Sequence, residues 1–151
     1  PTLSIHGDYV LAGSSRKNNT QLLKINQEGI DLIWKSKNAT SSFGSPLIYN
    51  GRAYIVNKAG ILFCHSILSG KLLFDHRLPA STWASPMGNE STVFFFCKDG
   101  SVVILDAMDE LKILSESRIS ALNNNLIYGY AAVDDHLVLR TESEILCFKS
   151  Q

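Results

Sequence analysis

The chain has 151 residues, of which 45% are hydrophobic and 19% charged, an ordinary globular composition and not that of a disordered chain. Its 14 basic and 14 acidic residues cancel, which argues against gross attraction to nucleic acid or to an anionic membrane. No apolar run reaches the ~18 residues that a helical membrane span needs.

In chain order, the first stretch carries four short apolar runs, Leu3–Ile5, Tyr9–Ala12, Leu22–Ile25 and Leu32–Trp34. Runs of this length between turn residues predict strands in a meander. A polar insertion, Ser14-Ser15-Arg16-Lys17-Asn18-Asn19, separates the second run from the third. With Gly13 it faintly resembles a phosphate loop, but the second glycine and the Gly-Lys-Ser/Thr ending are absent, so a hairpin insertion is expected. Ser45-Pro46 opens the next unit, followed by the turn Asn50-Gly51, the run Tyr54–Val56 and the turn Lys58-Ala59-Gly60. The runs Ile61–His65 and Leu72–Phe74 complete it.

A shift of 40 residues then repeats the pattern. Ser45-Pro46 maps onto Ser85-Pro86, Phe43 onto Trp83, Gly60 onto Gly100, and Leu73-Phe74 onto Ile113-Leu114. The run Val93-Phe94-Phe95-Phe96-Cys97 is apolar at every position, which suits a strand covered on both faces. Forward again, Phe94-Phe95-Phe96 maps onto Leu137-Val138-Leu139, and Val102-Val103-Ile104 onto Ile145-Leu146-Cys147. The connection Ser115–Tyr128, with Asn123-Asn124-Asn125, is longer than its counterparts. A period near 40 with four strands per period predicts an all-β propeller of about four blades. The expected blades are 2–42, 43–82 and 83–122, with a partial blade over 129–151 whose third strand ends the chain.

Ser45-Pro46, Gly51-Arg52-Ala53-Tyr54, Ser69-Gly70-Lys71-Leu72-Leu73-Phe74, Trp83-Ala84-Ser85-Pro86 and Lys98-Asp99-Gly100-Ser101 resemble the PQQ-like β-propeller repeat. That repeat also occurs in the lipoprotein of outer-membrane β-barrel assembly. The resemblance implies four-stranded blades in an incomplete ring, a non-catalytic protein-binding or scaffolding role, and an extracytoplasmic, periplasmic setting. It leaves two alternatives open: a fragment of a PQQ-dependent dehydrogenase, or an accessory propeller of a larger enzyme or sensor. Quinoprotein dehydrogenases carry an adjacent cysteine pair and a calcium ligand set, and neither is recognisable here, so no cofactor and no catalytic residue are expected.

The other candidate chemistry reads as structure. Cys64, Cys97 and Cys147 have no metal or redox spacing and are expected as free, packed thiols. His6, His65, His76 and His136 share no ligand spacing, and Asp134-Asp135-His136 falls at a turn, so no metal site is expected. Trp34 is expected in a packing column, whereas Trp83 precedes an innermost strand near the channel opening and is a candidate anchor.

Strand direction sorts the charges. In an antiparallel four-stranded blade, the second turn and the link to the next blade share one end. That end is expected to hold Arg16, Lys17, Lys35, Lys37, Lys58, Arg77, Lys98, Arg118 and Arg140 against five acids, a net of about +4. Asp8, Glu28, Asp31, Glu90, Asp106, Asp109, Glu110, Asp134 and Asp135 lead the opposite end. The candidate partner-binding face is therefore Arg16, Lys17, Arg77, Trp83 and Arg118, and an acidic protein is the partner it would steer. The open blade faces predict either a homodimer that closes the ring or a place within a larger propeller. The opening Pro1-Thr2-Leu3-Ser4, without methionine or signal peptide, is what a processed or excised segment would show.

Overall fold

The structure is a computed structural model that describes residues 1–108, 110–122 and 126–149. Asp109, Asn123-Asn124-Asn125, Ser150 and Gln151 lie outside the described residues. Blade 1 consists of β1 (Ser4–His6), β2 (Tyr9–Ala12), β3 (Thr20–Asn26) and β4 (Gly29–Ser36). Blade 2 is β5 (Leu47–Tyr49), β6 (Arg52–Val56), β7 (Ile61–Ser66) and β8 (Leu72–Arg77). Blade 3 is β9 (Met87–Asn89), β10 (Thr92–Phe96), β11 (Ser101–Asp106) and β12 (Ile113–Arg118). Blade 4 has β13 (Ile127–Val133), β14 (His136–Thr141) and β15 (Ile145–Lys149). Each is a separate antiparallel sheet with its strands in chain order. Among the described residues the only helical element is a 3-10 turn, Ser120–Leu122.

Local chemistry sets these hairpins. Asn50 and Gly51 have φ of 46° and 70°, the pair of positive values that a two-residue hairpin between β5 and β6 requires. The first strands sit innermost, β1 against β5 and β5 against β9. The blades fan outward from them into an incomplete, open ring.

Packing between blades explains the uninterrupted apolar runs. In β6, Tyr54 looks towards blade 3 and Ile55 towards blade 1, and both are fully buried. Tyr54, Leu62 and Cys64 meet Val93, Phe95 and Val103, while Phe96 and Val102 meet Ile127 and Leu139. The Ser-Pro motif is a stitch between inner strands: the Thr2 amide donates to Ser45 Oγ (2.7 Å), and the Ser45 amide donates to Ser85 Oγ (2.9 Å). Blade 4 has no Ser-Pro, and there Tyr130 donates its hydroxyl to the Pro86 carbonyl (3.1 Å).

A second junction lies further out. Trp34 Nε1 donates to the Ile67 carbonyl at 2.9 Å, and the indole stacks on His65 with centroids 5.5 Å apart. Gly70 takes φ of 68° beneath the ring, where an added Cβ would lie 2.6 Å from Trp34 Cγ. Trp34 is thus the packing residue that its column predicts.

Two expectations are corrected. The 40-residue shift aligns Leu114 with Phe74 and Trp34, but the β11–β12 turn is one residue longer than the β7–β8 turn, ahead of a bulge that all three outer hairpins share. Leu22 pairs with Trp34, Cys64 with Phe74 and Ile104 with Ser115, so Ser115 occupies the tryptophan position. Leu114 is the bulged residue and is exposed. Cys64 and Cys97 are buried as expected, but Cys147 is exposed, because it looks away from blade 3 to where no blade covers it.

Candidate functional site: an aromatic arc at the channel mouth

The links from β4 to β5 and from β8 to β9 run side by side into the inner strands. Gly44 permits this approach, since a Cβ there would sit 2.7 Å from the Ala84 carbonyl oxygen. The Ser41 hydroxyl pins the same link by donating to the Gly44 carbonyl at 2.6 Å. These contacts set Phe43 beside Trp83, with ring centroids 5.9 Å apart. The third ring comes from a bulge in β13. Ile127 pairs with Thr141 and Gly129 with Arg140, leaving Tyr128 as the extra residue. Bulges re-aim side chains, and Tyr128 meets Trp83 edge-on at 4.7 Å.

Three consecutive blades therefore contribute one ring each to a continuous apolar arc. Phe43 remains 48% exposed and Tyr128 38%, and with Trp83 and Ser42 they line a shallow depression of about 440 Å³. The Arg140 guanidinium lies 6.0 Å from the Tyr128 ring centroid, within cation–π range. A second depression, bordered by Trp83, Ser85, Tyr128 and Tyr130, continues the surface inward.

The sheet topology puts all five sequence-predicted residues at the same end of the strands. Arg16 and Lys17 lie in the loop between β2 and β3, Arg77 and Arg118 end β8 and β12, and Trp83 precedes β9. Of the five, Trp83 belongs to the aromatic arc. Arg77 folds back to donate to the Ala59 carbonyl (3.1 Å), and Arg118 pairs in register with Ser101. The cations form a broad rim rather than a pocket. Tyr128 was hidden within a long connection in the sequence, and no spacing rule reveals the bulge that presents it. Asp134-Asp135-His136 forms a turn, with Asp134 at φ 52° and Asp135 bridging His136 Nδ1 (2.6 Å) and Lys149 Nζ (3.4 Å).

Titration chemistry lies elsewhere, between blades 2 and 3. Burial pushes the Cys64 thiol up to about 12 and Cys97 to about 11, and raises Tyr54 above the usual phenol range. Such thiols are inert packing groups at neutral pH. The residues present do not fit a quinone–calcium centre. The three cysteines sit in different blades, none beside another, and no group of three or more His, Cys, Asp or Glu among the described residues could hold a metal.

The chain has a PQQ-like propeller-type fold, as its solved neighbours show. It superposes on BamB from Moraxella catarrhalis with a TM-score of 0.75 at 19% identity, over 97% of this chain and 45% of that one. It thus spans less than half of the BamB chain. The computationally designed Ika4 protein matches with a TM-score of 0.76 at 13% identity, over 97% of this chain and 88% of that one. A europium-containing methanol dehydrogenase matches with a TM-score of 0.63 at 12% identity, over 76% of this chain and 23% of that one. No protein-family model and no curated protein matches the chain. At these identities the likeness is one of fold alone. Among the described residues no helix is long and apolar enough to cross a membrane.

Proposed function

We propose that the chain is a non-catalytic protein-binding segment of a propeller, and that it docks its partner on the aromatic arc of Phe43, Trp83 and Tyr128. The arc itself supports this reading: exposed Phe and Tyr around a partly buried Trp, beside an arginine, are side chains that dominate protein interfaces. Arg16, Lys17, Arg77, Arg118 and Arg140 lie at the same end of the strands, and Arg140 reaches the Tyr128 ring. A partner carrying carboxylates gains encounter rate from that rim and affinity from the rings. The test is site-specific photocrosslinking in cells. A benzophenone residue at Phe43 or Tyr128 should give one discrete protein adduct, and one at Glu28 or Glu90, at the opposite end, should not. Adducts arising equally from both ends would sink the proposal. A thermal shift on adding quinone and calcium would instead favour the dehydrogenase reading.

A second surface supports the ring-completing part of the proposal. Ile5 occupies in blade 1 the ladder position of Ile48 in blade 2, each pairing with the second strand that leads on to Leu23 or His65. Ile48 is 4% exposed beneath blade 1, whereas Ile5 is 67% exposed. Ile25, Ile67 and Ala107 are equivalent too, each donating its amide to the turn before the second strand. Their exposures are 48%, 5% and 0%. The outer face of blade 1 is thus a blade-packing surface without a blade on it, and a second copy of the chain is the occupant we favour. Light scattering should then give twice the 16.7 kDa chain mass, reduced to one by Ile5→Glu. A monodisperse wild-type monomer would refute the dimer.

A further inference from the structure

The Ser-Pro stitch finds no serine in blade 4. The Thr2 amide donates to Ser45 Oγ and the Ser45 amide to Ser85 Oγ, each link reaching from one blade to the next. Asn50, Glu90 and Asp134, each the first residue after its inner strand, take φ of 46°, 50° and 52°. Counting back from these three turns brings Gly129 level with Ser45 and Ser85. Glycine has no hydroxyl to offer, and the Ser85 amide has no acceptor among the described residues. A Cβ added to Gly129 would meet nothing within 4 Å, so the place of a side chain there is open.

Ser85 and Gly129 both border the inner depression of about 290 Å³, with Trp83, Ala84, Tyr128 and Tyr130 as its other walls. None of these residues is charged, and the Tyr130 hydroxyl is committed to the Pro86 carbonyl. The depression thus offers one unpaired amide donor between aromatic walls. Such a donor gains most from an ionised acceptor. The local field favours an anion as well: Arg140 pairs with Gly129 across the ladder, and its guanidinium lies 6.0 Å from the Tyr128 ring centroid. Trp83 and Tyr128 border both this depression and the outer one, so the two adjoin. An extended chain sends side chains i and i+2 to the same side, which lets one segment fill both.

We infer that the inner depression is a carboxylate subsite. It takes an acidic side chain of an extended partner segment onto the Ser85 amide, two positions from the aromatic residue seated against Phe43, Trp83 and Tyr128. This subsite presupposes docking at the arc. Amide NMR of the chain titrated with acetyl-Phe-Gly-Glu-amide and with acetyl-Phe-Gly-Gln-amide tests it. Both peptides should move the Trp83 indole resonance. Only the glutamate peptide should carry the Ser85 amide proton downfield, further than any other backbone amide, and it should bind about tenfold more tightly. Gly129→Val, which fills the open space, should abolish that preference, and the wild-type shifts stand whatever this variant does to folding. Equal affinities, or an unmoved Ser85 amide, would overturn the subsite while the Trp83 shifts leave docking at the arc intact. Failure of both peptides to move Trp83 would overturn the subsite too, with photocrosslinking then judging the arc by itself.

Discussion

Replacing Trp34 with alanine probes the junction on which the blade stack depends. The indole is buried, donates to the Ile67 carbonyl and stacks on His65. Truncating a buried aromatic costs about 3–5 kcal/mol, and leaving the Ile67 carbonyl unpaired adds about 1 kcal/mol or more. Gly70→Ala attacks the same contact from the other blade. Its φ of 68° costs an L-residue about 1–2 kcal/mol. Its Cβ would also lie 2.6 Å from Trp34 Cγ, an overpacking worth about 1–3 kcal/mol more. The two changes must then be coupled, because removing the indole removes most of the clash while leaving Trp34 Cβ 2.8 Å away. In the Trp34→Ala background, Gly70→Ala should cost at least about 1 kcal/mol less than it does alone. Urea unfolding followed by far-ultraviolet circular dichroism measures all four corners of the cycle, since Trp34 is one of only two tryptophans. Additive costs within about 0.5 kcal/mol, or a Trp34→Ala cost below about 1 kcal/mol, would refute this account of the junction.

Further outcomes follow from individual groups. In the native protein an alkylating reagent at pH 8 should label Cys147 and spare Cys64 and Cys97, which react only after unfolding. Stability should be level below pH 9.0, where folded and unfolded chains both keep these thiol protons. Above it the unfolded chain ionises first, so each buried thiol should cost up to about 1.4 kcal/mol per pH unit until its folded pKa is reached. Alkaline urea titrations check this, and a flat profile to pH 11 would contradict the burial of both thiols. Trp83→Ala should leave stability within about 1.5 kcal/mol of wild type yet weaken the crosslinked partner by about 30-fold, the loss expected of an interface anchor. Arg77→Glu with Arg118→Glu should slow association most at low salt, whereas Glu110→Lys at the opposite end should not slow it.

The fold was legible because blade geometry writes itself into spacing. Ser45 and Ser85 recur 40 residues apart because each accepts an amide hydrogen from the segment that leads into the preceding blade's inner strand. The apolar run Val93–Cys97 reflects packing on both sides. Single-residue insertions were not legible. One in the β11–β12 turn puts Ser115 rather than Leu114 in the tryptophan position, and a bulge in β13 turns Tyr128 towards Trp83. A period-two strand has no sequence mark for such a slip, yet each slip changes which side chain faces a neighbour. Cys147 was misjudged for a different reason: its own column is buried in blade 2, but burial there is supplied by the next blade.

Hydrogen exchange on the chain with its crosslinked partner tests the binding account most directly. Protection should concentrate in residues 41–45, 82–86 and 127–130, around Phe43, Trp83 and Tyr128. The turns at 27–29 and 90–92 should exchange as fast as in the free chain. Protection of those turns, with the aromatic segments unchanged, would show that the partner uses the acidic end and would contradict the account.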